Sequence, residues 1–388
     1  MDKRVIPSLD KEMSLLGFGL MRLPRRSADS QEVDYELAEA MVDRAIARGV
    51  NYFDTAWHYH EGASELFAGK ALSRHPRESY FLADKLPAWL AQSRAEAERV
   101  FTEQLAKCRV EYFDFYLMHN LSRENYAIMR EVGLYEFLLE KREQGYIRHL
   151  GFSYHDNAEL LARIVKEYDW DFAQIQLNYV DWDSLDSRSL YRILREKDLP
   201  VIIMEPVRGG QLATLNPEAL DIFRQADPEA SPASWALRYA ASLPGVMTVL
   251  SGMTSMEQVE DNLKTVSPLV ALSDAERGVI RRATEAYLAS GTVPCTGCRY
   301  CMDCSAGVDI PRVFAVYNYY KVRQYPLAFI NAYRTLIDSE QAHNCVACGE
   351  CVERCPQGIA IPDLLAEVAQ QAVDLMKHTR TGRHGASS

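Results

Sequence analysis

Asp54 ends the apolar run Tyr52-Phe53, and Tyr59 follows five residues later. Lys85, in Ala83-Asp84-Lys85-Leu86, and His119, in Tyr116-Leu117-Met118-His119, end two further apolar runs. An acid, a phenol, a cation and an imidazole are the parts needed to move a proton to or from a carbonyl oxygen. Tyr59 can donate that proton, although an ordinary phenol, with a pKa near ~10, is a poor acid at neutral pH. A neighbouring ammonium favours phenolate, so Lys85 is expected to lower that pKa. Asp54 would pair with Lys85, hold it in place and offset its buried charge. His119 would hydrogen-bond the carbonyl oxygen and orient it. Each residue has a plainer reading: a strand-terminal Asp often closes a turn, a lone His is usually a satisfied polar residue, and Asp54 with Lys85 makes a structural ion pair. Four matched groups on three successive strands favour the chemical reading.

A second set of reactive side chains lies far along the chain. Of nine cysteines, Cys108 stands alone as a core thiol and the others lie between Cys295 and Cys355. The later run, Cys345-x2-Cys348-x2-Cys351-x3-Cys355-Pro356, is that of a bacterial ferredoxin binding a [4Fe–4S] cluster. The earlier one, Cys295-x2-Cys298-x2-Cys301-x2-Cys304, has Ser305 in the proline position. After the fourth cysteine the halves repeat: Gly307, Ile310 and Pro311 match Gly358, Ile361 and Pro362. A duplicated module of this kind exchanges its fourth ligands. The expected sets are Cys295, Cys298, Cys301 with Cys355, and Cys345, Cys348, Cys351 with Cys304. Two zinc sites are the alternative, but zinc ligands come as separated Cys-x2-Cys pairs rather than compact runs of four. Val313–Tyr320 and Leu327–Leu336 read as helices between the runs, with their Tyr and Phe residues as packing.

The elements that must position these groups are legible as alternation. Apolar runs at Leu16–Leu20, Tyr52–Thr55, Tyr80–Lys85, Phe113–His119, Arg148–Ser153, Phe172–Leu177, Val201–Glu205 and Met247–Ser251 predict strands. Amphipathic helices are expected between them, among them Tyr35–Ala47, Ser93–Lys107, Ala158–Lys166, Ser187–Arg195 and Pro232–Ser242. Eight strand–helix units fit an α/β fold closed as a (β/α)8 barrel, whose active sites lie at the C-terminal strand ends. An open doubly wound sheet should carry a GxGxxG turn, and Gly17-Phe18-Gly19 lacks the third glycine. Residues 1–290 are expected to form the barrel, 291–376 a small ferredoxin-like iron–sulfur domain, and 377–388 a disordered tail. A net charge of −11 argues against nucleic acid or an anionic membrane as partner. No apolar run approaches the ~20 residues of a membrane span, and the start resembles no secretory signal; a cytoplasmic protein is expected.

The stretch Asp54-Thr55-Ala56 with Tyr59, Lys85 in Ala83-Asp84-Lys85-Leu86 and His119 in Asp114-Phe115-Tyr116-Leu117-Met118-His119 resembles the aldo-keto reductase family over residues 14–290. The cysteine-rich extension is similar to that of a bacterial and archaeal branch of it. The resemblance implies hydride transfer between NADPH or NADH and a carbonyl or alcohol, with Asp54, Tyr59, Lys85 and His119 as the catalytic tetrad and Tyr59 as general acid. It further implies that Ser153 and Gln174 hold the carboxamide, that Gly209 and Gly210 lie near the pyrophosphate, and that Ser251, Gly252, Gln258, Asp261 and Asn262 approach the adenosine. Three features depart from the family pattern. Tyr154 stands where an Asn is usual, the loop Met204–Gly210 lacks the aromatic that stacks on nicotinamide, and Ser251–Asn262 contains no Lys or Arg to meet a 2′-phosphate. NADH therefore stands beside NADPH. Trp57, Trp89 and Met21-Arg22 are expected around the substrate, with Arg22 or Arg208 able to meet an acidic one.

Hydride moves two electrons at once, whereas a [4Fe–4S] cluster usually passes one. Two clusters would accordingly be structural, sense redox state or serve an electron-transfer partner. The alternative reading is an iron–sulfur electron-transfer protein whose barrel binds flavin or a redox partner. A third is a redox sensor that uses the barrel only to hold nucleotide, against which the intact tetrad argues.

Overall fold

The computed structural model describes residues 1–27, 30 and 32–381. Strands β3 (Leu16–Gly19), β4 (Tyr52–Asp54), β5 (Phe81–Pro87), β6 (Phe113–Leu121), β7 (Ile147–Tyr154), β8 (Phe172–Gln176), β9 (Val201–Met204) and β10 (Val246–Ser251) follow a two-stranded hairpin of β1 (Lys3–Ile6) and β2 (Lys11–Ser14). The eight later strands form a closed parallel barrel in the order β10-β3-β4-β5-β6-β7-β8-β9. Each of the eight apolar runs becomes one barrel strand, and the (β/α)8 expectation holds.

The hairpin was not expected from sequence. Its Ile6 and Met13, with Leu9 between the strands, are buried with Tyr52, Phe115, Phe172 and Met247. Inside the barrel Phe115 meets Tyr52 edge-on at 5.3 Å and Phe172 at 5.2 Å. A Cβ at Gly151 of β7 would lie 2.6 Å from the Phe172 ring, so only glycine admits that ring. The expected helices form with local caps. Asp34, Ser93 and Asn157 accept from the backbone N–H three residues on, opening helices Tyr35–Ala47, Arg94–Cys108 and Ala158–Glu167.

The chain divides into two compact units, Met1–Val207 with Ala233–Ser273, and Arg208–Pro232 with Asp274 onward. The second therefore takes in segments that precede the cysteines. Helix Pro217–Ala226 lies against helix Asp274–Leu288 within it, and Asn216 Nδ2 donates to the Ala286 carbonyl at 2.8 Å. Its own core is built from helices Ile310–Arg323, Pro326–Tyr333 and Ile361–Thr381, through Phe314, Tyr317, Phe329, Tyr333, Leu365 and Val368. The last helix corrects one expectation. Residues 377–381, read as the start of a disordered tail, continue it, while 382–388 lie outside the described residues. No described helix is long and apolar enough to cross a membrane.

Candidate active site and cysteine clusters

Lys85 is fully buried in the first unit, and its ammonium uses all three N–H donors. Its Nζ donates to Asp54 Oδ1 at 2.6 Å, to the Thr55 carbonyl at 2.7 Å and to Tyr59 Oη at 3.3 Å. β4 and β5 are neighbours, with Asp54 opposite Ala83, so the cation enters from the next strand. Tyr59 opens the short turn Tyr59–Gly62 after β4, in which His60 and Glu61 take left-handed backbone angles. From β6, His119 brings a ring whose centroid lies 6.1 Å from that of Tyr59, nearly perpendicular to it. All four groups are buried.

Burial decides their protonation. Desolvation holds the Asp54 carboxyl above its usual range, against the opposing pull of Lys85. It holds the His119 imidazole well below its usual value, and a proton there would also be opposed by His58 and by the Lys85 ammonium, so this ring is neutral. The expectation for Tyr59 is overturned. Its phenol is pushed well above the ordinary value, first by burial and then by Asp54, with Arg22 the opposing charge. An ammonium already neutralised by Asp54 does little to ionise a phenol taken out of water. The resting tyrosine keeps its proton, as a donor must.

His58 is a member of this cluster that sequence reasoning passed over. Its ring stacks on His119 at 5.0 Å and 29°, and meets Tyr59 edge-on at 5.1 Å. Trp89 closes the group 5.3 Å from His119, whereas Trp57 is engaged elsewhere, with Lys107 Nζ 3.4 Å from its ring centre. The only signal was adjacency to Tyr59, which gives no direction. Arg22, considered for an acidic substrate, donates to Glu205 Oε1 at 2.8 Å, and Arg208 is buried in the second unit.

These histidines carry a pH dependence. Burial pushes His58 and His155 down to about 4. Unfolded, each would take a proton near ~6.5; folded, each stays neutral until about 4. Stability is thus unaffected above ~6.5 and falls as pH drops toward 4, by about 1.4 kcal/mol per pH unit for each histidine. Denaturant unfolding measured near pH 5 should show proton uptake that drops by about one in His58→Phe. An unchanged proton uptake would contradict the assignment.

The residues expected at the cofactor divide between the units. In the first, Ser153 and Gln174 lie opposite each other on β7 and β8. Gln174 Oε1 is buried without a hydrogen-bond partner. Ser153 Oγ accepts from the Asn120 N–H at 2.8 Å. Ser251 Oγ accepts from Asn262 Nδ2 at 2.9 Å, and Gly252 lies against the Arg22 side chain. Ser255 caps helix Met256–Thr265, and Gln258 Oε1 accepts from Thr254 N at 2.7 Å. The Asp261 carbonyl accepts from Thr265 Oγ1. Tyr154 Oη donates to the Asn157 carbonyl at 2.5 Å, so it offers no amide. Gly209 and Gly210, with φ of 64° and 91°, belong to the second unit. A Cβ at Gly209 would lie 2.4 Å from the Thr296 carbonyl oxygen, and Gln211 Nε2 donates to the Cys295 carbonyl. The loop assigned to the pyrophosphate is thus bonded to the first cysteine run.

The two cysteine runs repeat in backbone as well as in sequence. Gly297 and Ala347, two residues past the first cysteine of each run, and Arg299 and Gly349, one past the second, all have φ between 54° and 85°. Gly307 and Gly358 also share a left-handed angle, and each donates its N–H to the carbonyl of the fourth cysteine. Such turns point backbone N–H groups inward, as anionic clusters require. The Cys301 thiol is pushed up by burial and then by Cys298, Cys295 and Cys355; Cys351 is pushed up by burial, and also by Cys345, Cys348 and Cys304. The neighbours of each therefore come from both runs. Among the described residues no three ligand side chains stand at metal-holding geometry. Cys108 is buried, with its Sγ 3.6 Å from Asp84 Oδ2.

The aldo/keto reductase family model matches residues 15–284. The chain belongs to the aldo/keto reductase family. A 4Fe-4S dicluster domain model matches residues 294–360. This aldo/keto reductase is 25% identical over 300 residues to an uncharacterized oxidoreductase of Bacillus subtilis, covering 69% of the present chain and 92% of the other. It is 23% identical over 331 residues to the NADH-specific methylglyoxal reductase of Escherichia coli, covering 74% and 99%. In fold it is similar to the holo form of an aldo-keto reductase from Bacillus halodurans. The TM-score is 0.60 at 24% identity, over 73% of this chain and 96% of that one. The protein is an oxidoreductase with a barrel and a 4Fe-4S domain.

Proposed function

We propose that the barrel interconverts a small carbonyl compound and its alcohol, using a nicotinamide dinucleotide. The three-way contact of Lys85 with Asp54, Thr55 and Tyr59 carries this reading. A reduced nicotinamide dinucleotide held in the barrel would supply the hydride that a carbonyl carbon needs. Tyr59 gives its proton to the carbonyl oxygen, and the phenolate left behind faces the Lys85 ammonium, 3.3 Å away. Neutral His119 hydrogen-bonds the same oxygen and orients it, with His58 stacked behind it. Buried Ser153 and Gln174, the latter with an unpaired acceptor, suit a primary carboxamide.

The segment Ser251–Asn262 supports NADH. It contains Glu257, Glu260 and Asp261 but no cation, where a 2′-phosphate would need one. NADH should exceed NADPH in kcat/KM by roughly tenfold or more; equal values would sink the preference. The NADH specificity of the E. coli relative points the same way.

The eight cysteines are proposed to bind two [4Fe–4S] clusters, with the fourth ligands exchanged. Cys304 lines one cavity with Cys345, Cys348 and Cys351, which supports the exchange. Cys348 is exposed, which brings the second cluster within reach of a one-electron partner. The deciding experiment is anaerobic. Protein with reconstituted clusters is mixed with NADH or NADPH and a panel of aldehydes and ketones. Carbonyl-dependent cofactor oxidation that vanishes in Tyr59→Phe is the expected result. Cofactor oxidation only with added flavin, or stoichiometric zinc without iron, would overturn the respective half.

A further inference from the structure

β6 does not run straight to its end. Its register against β7 shifts between Met118 and Leu121, and Asn120 within the shift has φ 50°. Asparagine tolerates that left-handed angle better than most residues, and a bulge beside a site re-aims a side chain. The Asn120 backbone is held from both sides. Its N–H donates to Ser153 Oγ at 2.8 Å, and its carbonyl accepts from Asn125 Nδ2 and from the Ser122 N–H, each at 2.7 Å. The side chain is not treated so well. Asn120 Oδ1 is buried and has no hydrogen-bond partner. Gln174 Oε1 is the other unpaired amide acceptor nearby, on the strand that carries it opposite Ser153. Folded proteins rarely leave a buried acceptor unsatisfied unless something else satisfies it.

We infer that Asn120 is a third binding residue for the nicotinamide carboxamide. The inference rests on the proposal that the barrel binds a nicotinamide cofactor. A primary carboxamide presents one acceptor and two N–H donors. Ser153 Oγ already accepts from Asn120 N, so its own proton is free to go to the carboxamide oxygen. The two N–H groups then meet Gln174 Oε1 and Asn120 Oδ1, which gives both unpaired acceptors a partner. Tyr154, beside Ser153, turns its hydroxyl to Asn157 and leaves this place to the bulge of β6.

Binding of NAD is compared with binding of its 3-acetylpyridine analogue, in which a methyl replaces the NH2 group. Calorimetry on cluster-loaded protein compares the native chain, Asn120→Ala and Asn120→Gly. The native protein should prefer NAD. Both variants should bind NAD roughly 3- to 10-fold more weakly and leave the analogue unchanged. Glycine accepts φ 50° without strain, so agreement between the two variants excludes a backbone effect. Equal weakening of both ligands, no weakening at all, or a change confined to KM for the carbonyl substrate would overturn the role of Asn120. Failure of the native protein to bind NAD or NADP would instead overturn the reading on which it rests.

Discussion

Tyr59→Phe is expected to lower carbonyl turnover by ~10²–10⁴-fold, the usual contribution of a positioned general acid, while leaving the melting temperature nearly unchanged. The hydroxyl receives only a long 3.3 Å bond from Lys85, and the ring keeps its contacts with His58 and His119. Lys85→Met should behave differently. It removes the cation that faces the nascent phenolate and also leaves Asp54, 2% exposed, as a buried carboxylate without its partner. Breaking one side of a buried pair costs about 3–5 kcal/mol, so this variant should lose activity and stability together. Asp54→Asn added to Lys85→Met should restore part of the stability and none of the activity. Kinetics and thermal unfolding of the three variants, with cofactor binding measured separately, check the scheme. A Tyr59→Phe variant with native turnover would show that the proton comes from elsewhere.

Why Asp54, Lys85 and His119 were legible is physical. A parallel barrel strand is apolar along its length, so a charge at its C-terminal end stands out, and there a barrel places its chemistry. Protonation was less legible. Lys85 beside Tyr59 suggested a lowered phenol pKa, but a pairwise argument omits burial, the dominant influence here. His58 and Asn120 needed tertiary structure: one acts through stacking on a ring from another strand, the other through a bulge that alternation does not reveal. The hairpin before the barrel was hidden because each strand has four residues with Pro7 between them. At the far end, Lys377-His378-Thr379-Arg380 reads as a polar tail, yet the helix begun at Ile361 continues through it. Nothing local to Gly209-Gly210-Gln211 announced that the loop would bond to Cys295.

That bond has the second large consequence. Removing iron should release the loop 208–213 as well as the cysteine runs. Cys295, Cys304, Cys345, Cys351 and Cys355 pack against the core of the second unit, so cluster ligation by them, as proposed, would be linked to folding of that core. Structural metal in small domains contributes on the order of 10 kcal/mol. Gln211 ties the loop to this scaffold at both ends of its amide: Nε2 donates to the Cys295 carbonyl, and Oε1 accepts from Tyr287 Oη at 2.9 Å. Gly209, against Thr296, allows the close approach. Hydrogen exchange after anaerobic chelation should show lost protection at 293–361 and 208–213, with β4–β8 unaffected. Gln211→Ala in the iron-loaded protein should loosen 208–213 alone. Unchanged exchange there after iron removal would separate the clusters from the loop and return them to a role in electron transfer.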